Sequence, residues 1–74
     1  MASEQRIVEV EPYGDNNWKV QAAGGDVRRF SSRKEAVGVA TGLARREHSQ
    51  LIVHGEDGRV EARRDFRPPT EQSF

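Results

Sequence analysis

One stretch decides the fold: residues 31–49, which read SSRKEAVGVATGLARREHS. It is the only long segment whose apolar side chains recur with the spacing of a helix. Ser32 with Glu35 three residues later has the form of a capping box, which predicts that the helix begins there. No glycine or proline closes the segment, so we place the helix end near His48, after a last turn rich in positive charge.

This helix has two different faces. At about 100° per residue, one side forms an apolar stripe of Ala36, Val37, Val39, Ala40, Leu43 and Ala44. The other side contains Lys34, Gly38, Gly42, Arg45 and Arg46. Such a division is typical of a helix that packs on a sheet.

The segments on either side of the helix read as strands. Residues 6–12 and 16–22 alternate and form a hairpin, and residues 27–30 continue as a short extended piece into the helix. Beyond the helix, residues 50–54 and 59–64 form a second hairpin, for which Asp57-Gly58 predicts a type I′ turn. The predicted core consists of Val8, Val10, Trp18, Val20, Phe30, Ala36, Ala40, Leu43, Leu51, Val53 and Val60.

The order of these elements predicts a two-layer α+β fold, ββαββ, with one helix packed on a four-stranded antiparallel or mixed sheet. A right-handed crossover from the second strand to the third places the first and third strands in the middle. We expect one domain over residues 5–66, a disordered N-terminus over residues 1–4 and a flexible tail over residues 67–74.

Composition excludes several classes of protein. The chain has 74 residues and no cysteine, which rules out a disulfide framework and a thiolate metal site. Twelve basic residues balance twelve acidic ones, so overall charge does not favour nucleic acid. No apolar run follows Met1, and we expect no signal peptide, no membrane span and a cytoplasmic location.

Catalytic and metal chemistry have weak signals. His54, Glu56 and Asp57 stand close together, but zinc normally takes three or four ligands and His48 is the only other imidazole. Ser31 and Ser32 are explained by helix capping, since no partnered base is evident. We expect no catalytic residues, no metal and no cofactor, and therefore no enzyme.

Several short segments together resemble one family. They are Trp18-Lys19-Val20, Gly24-Gly25, residues 30–36, Leu43-Ala44 and residues 51–60. The combined pattern resembles the short, uncharacterised bacterial proteins of the DUF2188 family over roughly residues 7–66. The resemblance implies a bacterial, cytosolic, single-domain protein and no assigned catalytic residues. Gly38 and Gly42 depart from its pattern, because better helix formers are expected there.

Two functions remain open. The first is a non-enzymatic interaction module, which self-associates or binds a protein partner. The strand Leu51-Ile52-Val53 is apolar on both faces, so its second face needs to be covered. A partner would also add stability to so small a core. The second is nucleic-acid binding by the basic helix face, since residues 27–46 hold six basic residues and one acidic residue. The candidate interaction surface is Arg28, Arg29, Arg33, Lys34, Gly38, Gly42, Arg45 and Arg46.

Overall fold

One helix lies on one face of a five-stranded mixed sheet in a computed structural model that describes residues 6–68. The elements in chain order are β1 (Ile7–Pro12), β2 (Trp18–Gln21), β3 (Val27–Phe30), α1 (Arg33–Arg46), β4 (Gln50–His54) and β5 (Val60–Asp65). The expected disordered N-terminus, and all but the first two residues of the expected C-terminal tail, lie outside the described residues. No helix in the described part of the chain is long and apolar enough to cross a membrane.

The strands are ordered β3-β2-β1-β4-β5 across the sheet. β1 pairs in parallel with β4, and all other pairs are antiparallel. The crossover through α1 therefore returns the chain beside β1, and the prediction that these two strands lie in the middle is confirmed.

The predicted count of four strands was wrong because residues 27–30 form β3. This segment pairs with β2, with Trp18 opposite Phe30 and Gln21 opposite Val27. The tight loop between the two strands has Gly25 at φ 103 and returns the chain antiparallel to itself. An edge strand with two central arginines has no apolar alternation, which is why the sequence pattern did not reveal it.

The core lies between α1 and the middle strands. Alternate residues of the three central strands point to the same face of the sheet, as the pairs Val10–Val20 and Val8–Leu51 show. The buried apolar residues are Val8, Val10, Trp18, Val20, Ala36, Ala40, Ala44, Leu51 and Val53. Phe30, Val37, Leu43 and Phe66 are partly buried against them.

Two residues expected to face inward are exposed. Val39 is 36% exposed, because the helix touches the sheet along the narrow line of Ala36, Ala40 and Ala44 and Val39 lies beside that line. Val60 is 46% exposed. A bulge between β4 and β5 pairs Val53 with Ala62 but His54 with Val60, and so turns Val60 to the face opposite the helix.

Capping interactions explain where α1 begins and ends. Ser32 accepts a hydrogen bond from the Glu35 N–H at 3.2 Å, so the predicted N-cap is confirmed. The helix ends at Arg46, two residues before the predicted end. His48 occupies the left-handed position at φ 53, and the Ser49 N–H donates to the Ala44 carbonyl at 2.9 Å, which makes a Schellman motif without glycine.

The predicted type I′ turn between β4 and β5 was wrong. Only Gly58 of the turn pair has positive φ, at 86°, and its N–H donates to the Gly55 carbonyl at 2.9 Å. The loop is therefore the three-residue kind with one left-handed glycine. The β2–β3 loop closes in the same way, with the Gly25 N–H donating to the Ala22 carbonyl at 3.0 Å.

Candidate functional site

The predicted interaction surface is divided among separate parts of the molecule. Arg28 and Arg29 are neighbours on β3 and point to opposite faces of the sheet, because Arg28 pairs with buried Val20 and Arg29 with Lys19. The Arg29 Cζ lies 4.7 Å from the centroid of the Tyr13 ring. These two arginines therefore cannot contact one ligand surface together.

Arg33 is already engaged within the chain. Its Nη2 donates to Glu61 Oε1 at 2.7 Å, and its Cζ lies 5.8 Å from the Trp18 ring centroid. The pair connects the first turn of α1 to β5. Its side chains are 46% and 50% exposed, so we expect a contribution of only about 0.2–1 kcal/mol.

The outer face of α1 holds the remaining residues of the predicted surface. Lys34, Gly38, Gly42, Arg45 and Arg46 are all exposed. A Cβ added at Gly38 or Gly42 would meet no atom within 4 Å outside its own helix turn. Ser32, Lys34, Glu35, Gly38 and Val39 form a shallow depression on this face.

An open recess lies at the opposite end of the sheet from the helix C-terminus. It has a volume of about 660 Å³ and is bordered by the β1–β2 loop, Trp18, Ser31 and Glu56. A second recess of about 470 Å³ shares Trp18 and Glu56 with it and adds Arg33, Asp57 and Glu61. Most of the lining residues are themselves exposed, so neither recess encloses a ligand.

The hairpin residues considered for metal or acid–base chemistry make local contacts instead. His54 Nδ1 lies 3.3 Å from the Gly58 carbonyl oxygen. Asp57 accepts a hydrogen bond from the Arg59 N–H at 3.0 Å, which fixes the turn. Within residues 6–68 no three His, Cys, Asp or Glu side chains are grouped so that they could hold a metal ion.

A cluster that the sequence analysis missed lies at the C-terminal end of α1. The Arg45 Cζ and the Arg64 Cζ lie 5.9 and 5.6 Å from the centroid of the same Phe66 ring. Arg6 Nη1 donates to the Glu47 carbonyl at 3.4 Å, at the same end of the molecule. The repeated Arg63-Arg64 before Phe66 was a usable signal, although it lay where the strand pattern fades.

The chain matches one family model over residues 8–66, described as an uncharacterized protein conserved in bacteria (DUF2188). The match covers well over half of the chain. The chain belongs to the DUF2188 family. The DUF2188 match runs from the second residue of β1 to Phe66 and so includes every element of the fold. No curated protein and no solved structure matches the chain.

In this DUF2188 protein, Asp65 at the end of β5 forms an ionic clasp with Arg67. Arg67 donates to Asp65 from Nε at 2.9 Å, from Nη2 at 2.7 Å and from its N–H at 3.0 Å. These hydrogen bonds lower the pKa of Asp65 from 3.8 to about 2 and raise the pKa of Arg67. Asp65 is therefore ionised and paired at neutral pH.

Proposed function

We propose that this bacterial domain is a non-enzymatic interaction module of the cytoplasm, which forms a homodimer through the outer face of α1. The open recesses support a non-enzymatic role, because catalysis needs a site that encloses its substrate. The absence of cysteine from the sequence is compatible with a reducing compartment.

One observation carries the proposed dimer: the outer face of α1 is complementary to itself. Glu35, Gly38, Gly42 and Arg45 follow one another at intervals of three, four and three residues, so they form a single line along the helix. We call this line the glycine stripe. In an antiparallel pair of helices related by a two-fold axis, Glu35 faces Arg45 of the second copy and Gly38 faces Gly42, each twice.

Gly38 and Gly42 lower the stability of the helix, and a contact with a partner would give them a structural purpose. Glycine in a helix interior is about 0.8–1 kcal/mol less favourable than alanine, and no contact within the described chain requires Gly38 or Gly42. At a helix–helix contact, however, missing side chains let the backbones approach closely. Exposed Val39 beside the stripe adds apolar surface to such a contact.

Charge also sets a limit on this dimer. Lys34 lies on the flank of the glycine stripe, and the two-fold axis brings it to the end of the second copy's helix that carries Arg45 and Arg46. Their repulsion opposes the two Glu35–Arg45 attractions. We therefore expect the Lys34→Glu variant to dimerise more strongly than the wild type.

Sedimentation equilibrium over a wide range of protein concentration tests the proposal. Glu35→Arg or Arg45→Glu alone should weaken the dimer, because each places like charges opposite each other. The double variant should restore it, because the attraction is re-formed with its signs exchanged. A wild type that is monomeric at the highest concentrations, or a double variant no better than the single ones, would contradict the interface.

The glycines give a second test with opposite effects on two quantities. Gly38→Ala with Gly42→Ala should weaken the dimer through added methyl groups. The same change should stabilise the monomer by about 0.4–1 kcal/mol per site. Gly24→Ala is the matched control, since Gly24 lies in a loop without positive φ and a Cβ there meets nothing within 4 Å. It should leave the mass unchanged.

Nucleic-acid binding by the basic helix face is the weaker alternative. The six basic residues proposed for it point in different directions, and Arg33 is paired with Glu61. A nucleic-acid affinity that falls when Lys34, far from the helix C-terminus, is replaced by glutamine would favour this alternative.

A further inference from the structure

Basic side chains from three parts of the chain gather at the end of the domain where α1 ends. Arg45 and Arg46 belong to the last turn of α1, Arg64 to β5, and Arg6 precedes β1. We call these four residues the arginine cluster. The helix dipole accounts for cations in the last turn of α1, but it does not account for Arg6 and Arg64.

The cluster arginines are among the basic residues that form no ion pair within residues 6–68, as are Arg28, Arg29, Lys34 and Arg63. Lys19, Arg33, Arg59 and Arg67 each lie within ion-pair distance of a carboxylate. Within residues 6–68, none of the four cluster arginines does. The nearby carboxylate of Asp65 is occupied by Arg67. The cluster therefore presents guanidinium groups that form no ion pair with a carboxylate of the described chain.

Two of these arginines are held by an aromatic ring. Phe66 is partly buried against the core, and its N–H donates to the Ser49 carbonyl at 3.1 Å, so its ring has a defined position. Arg45 and Arg64 reach the ring from the helix and from β5, at 5.9 and 5.6 Å from its centroid. Such cation–π contacts order the guanidinium groups and leave their other sides facing solvent.

We propose that the arginine cluster binds single-stranded nucleic acid, with guanidinium N–H groups on the phosphates and bases stacked against Arg45 and Arg64. Guanidinium groups donate in pairs to phosphate oxygens and also stack on planar rings. Only unpaired strands expose base faces to such contacts. A duplex would need basic residues along a whole element that enters a groove, whereas these lie around one end of the domain.

A single small anion fits this surface less well. Each exposed ion pair contributes little, whereas a strand places successive phosphates on several arginines and releases counterions. Arg45 also belongs to the glycine stripe, so it serves the strand or a second copy of the domain but not both. Nucleic acid should therefore compete with dimerisation, although the proposed binding does not depend on the dimer.

The test is fluorescence anisotropy with a labelled oligouridylate, at protein concentrations where the domain is monomeric. Arg64→Gln should weaken binding by about tenfold and reduce the salt slope by about 0.7, the value of one lost phosphate contact. Arg59→Gln is the control, because it removes the same charge at the opposite end of the molecule, and it should have little effect. Arg64 lies outside the glycine stripe, so its loss should leave the dimer constant unchanged.

Phe66→Leu distinguishes binding at an ordered site from attraction by positive charge alone. It keeps an apolar side chain against the core but removes the ring that orders Arg45 and Arg64, and it should weaken binding while the domain stays folded by circular dichroism. Equal losses for Arg64→Gln and Arg59→Gln would overturn the site. Binding of duplex DNA or of inorganic polyphosphate as tight as that of the single strand would overturn the proposed ligand.

Discussion

Strands β4 and β5 are the two arms of one hairpin, yet they are exposed to water very differently. In β4, Leu51 and Val53 are 2% and 3% exposed. In β5, all six residues are exposed. Within residues 6–68, the backbone of α1 lies close to β1, β2, β3 and β4 but not to β5, which α1 contacts through the Arg33–Glu61 side-chain pair. The position of the helix therefore decides which arm belongs to the core.

The difference shows how far one helix can cover a sheet. A helix with its side chains is about 10–12 Å wide, and neighbouring strands lie about 4.7–4.9 Å apart. One helix thus covers two to three strands well, and an outer strand on a five-stranded sheet depends on its hydrogen bonds and on polar contacts. For β5 these contacts are the Arg33–Glu61 pair at one end and the Asp65–Arg67 clasp at the other.

The largest expected effect on stability comes from a change in the core beneath the helix. Trp18 is buried at the start of β2 and shares the core with the helix alanines. Trp18→Ala should cost about 3–5 kcal/mol, which is as much as a core of this size supplies, so the variant should be unfolded by circular dichroism. Tyr13→Ala is the control, since Tyr13 is an exposed aromatic residue and its loss should be tolerated. A folded Trp18→Ala domain would show that the helix side is not where stability resides.

The two arms of the hairpin can be compared with one chemical change. Val53→Ala should lower the free energy of unfolding by about 1.5–3 kcal/mol, because it removes two buried methyl groups and leaves a cavity. Val60→Ala, at a site 46% exposed, should change it by no more than about 0.5 kcal/mol. Urea denaturation of both variants gives the comparison. Similar losses would mean that β5 is covered in solution, for example by a second copy of the domain.

Local signals in the sequence identified much of the fold. The helix start follows from Ser32 and Glu35, which interact across one turn, and the central strands follow from alternating valines. β3 could not be found in this way, because its four residues become a strand only by pairing with β2. Val60 was assigned to the wrong face because a one-residue bulge reverses the direction of its side chain. The alternation of apolar and polar residues in the sequence does not show where a bulge occurs.

The candidate surfaces were less predictable, since charge in the sequence does not show which side chains meet. Arg28 and Arg29 are adjacent in the chain and point apart, whereas Arg45 and Arg64 are distant in the chain and share one aromatic ring. In the sequence, the glycine stripe was visible only as two residues of low helix propensity, Gly38 and Gly42, without an evident reason for either. Its relation to Glu35 and Arg45 required the helix to be placed with those residues outward.

The smallest expected effect concerns the clasp that ends β5. Because its folded pKa is lowered from 3.8 to about 2, Asp65 contributes stability that is fully present above pH 4 and is lost as the pH falls towards 2. The pair is exposed, so this contribution is small and screened by salt. In an NMR titration, the Asp65 carboxyl should have a midpoint near 2, and this midpoint should move towards 3.8 in the Arg67→Gln variant.

Arg59→Gln, the control, should leave the midpoint of the Asp65 carboxyl unchanged. A midpoint that stays low without Arg67 would mean that other contacts, such as the Gln50 side chain on β4, hold the carboxylate. In that case β5 would be fastened to its buried neighbour and not to the residue that follows it.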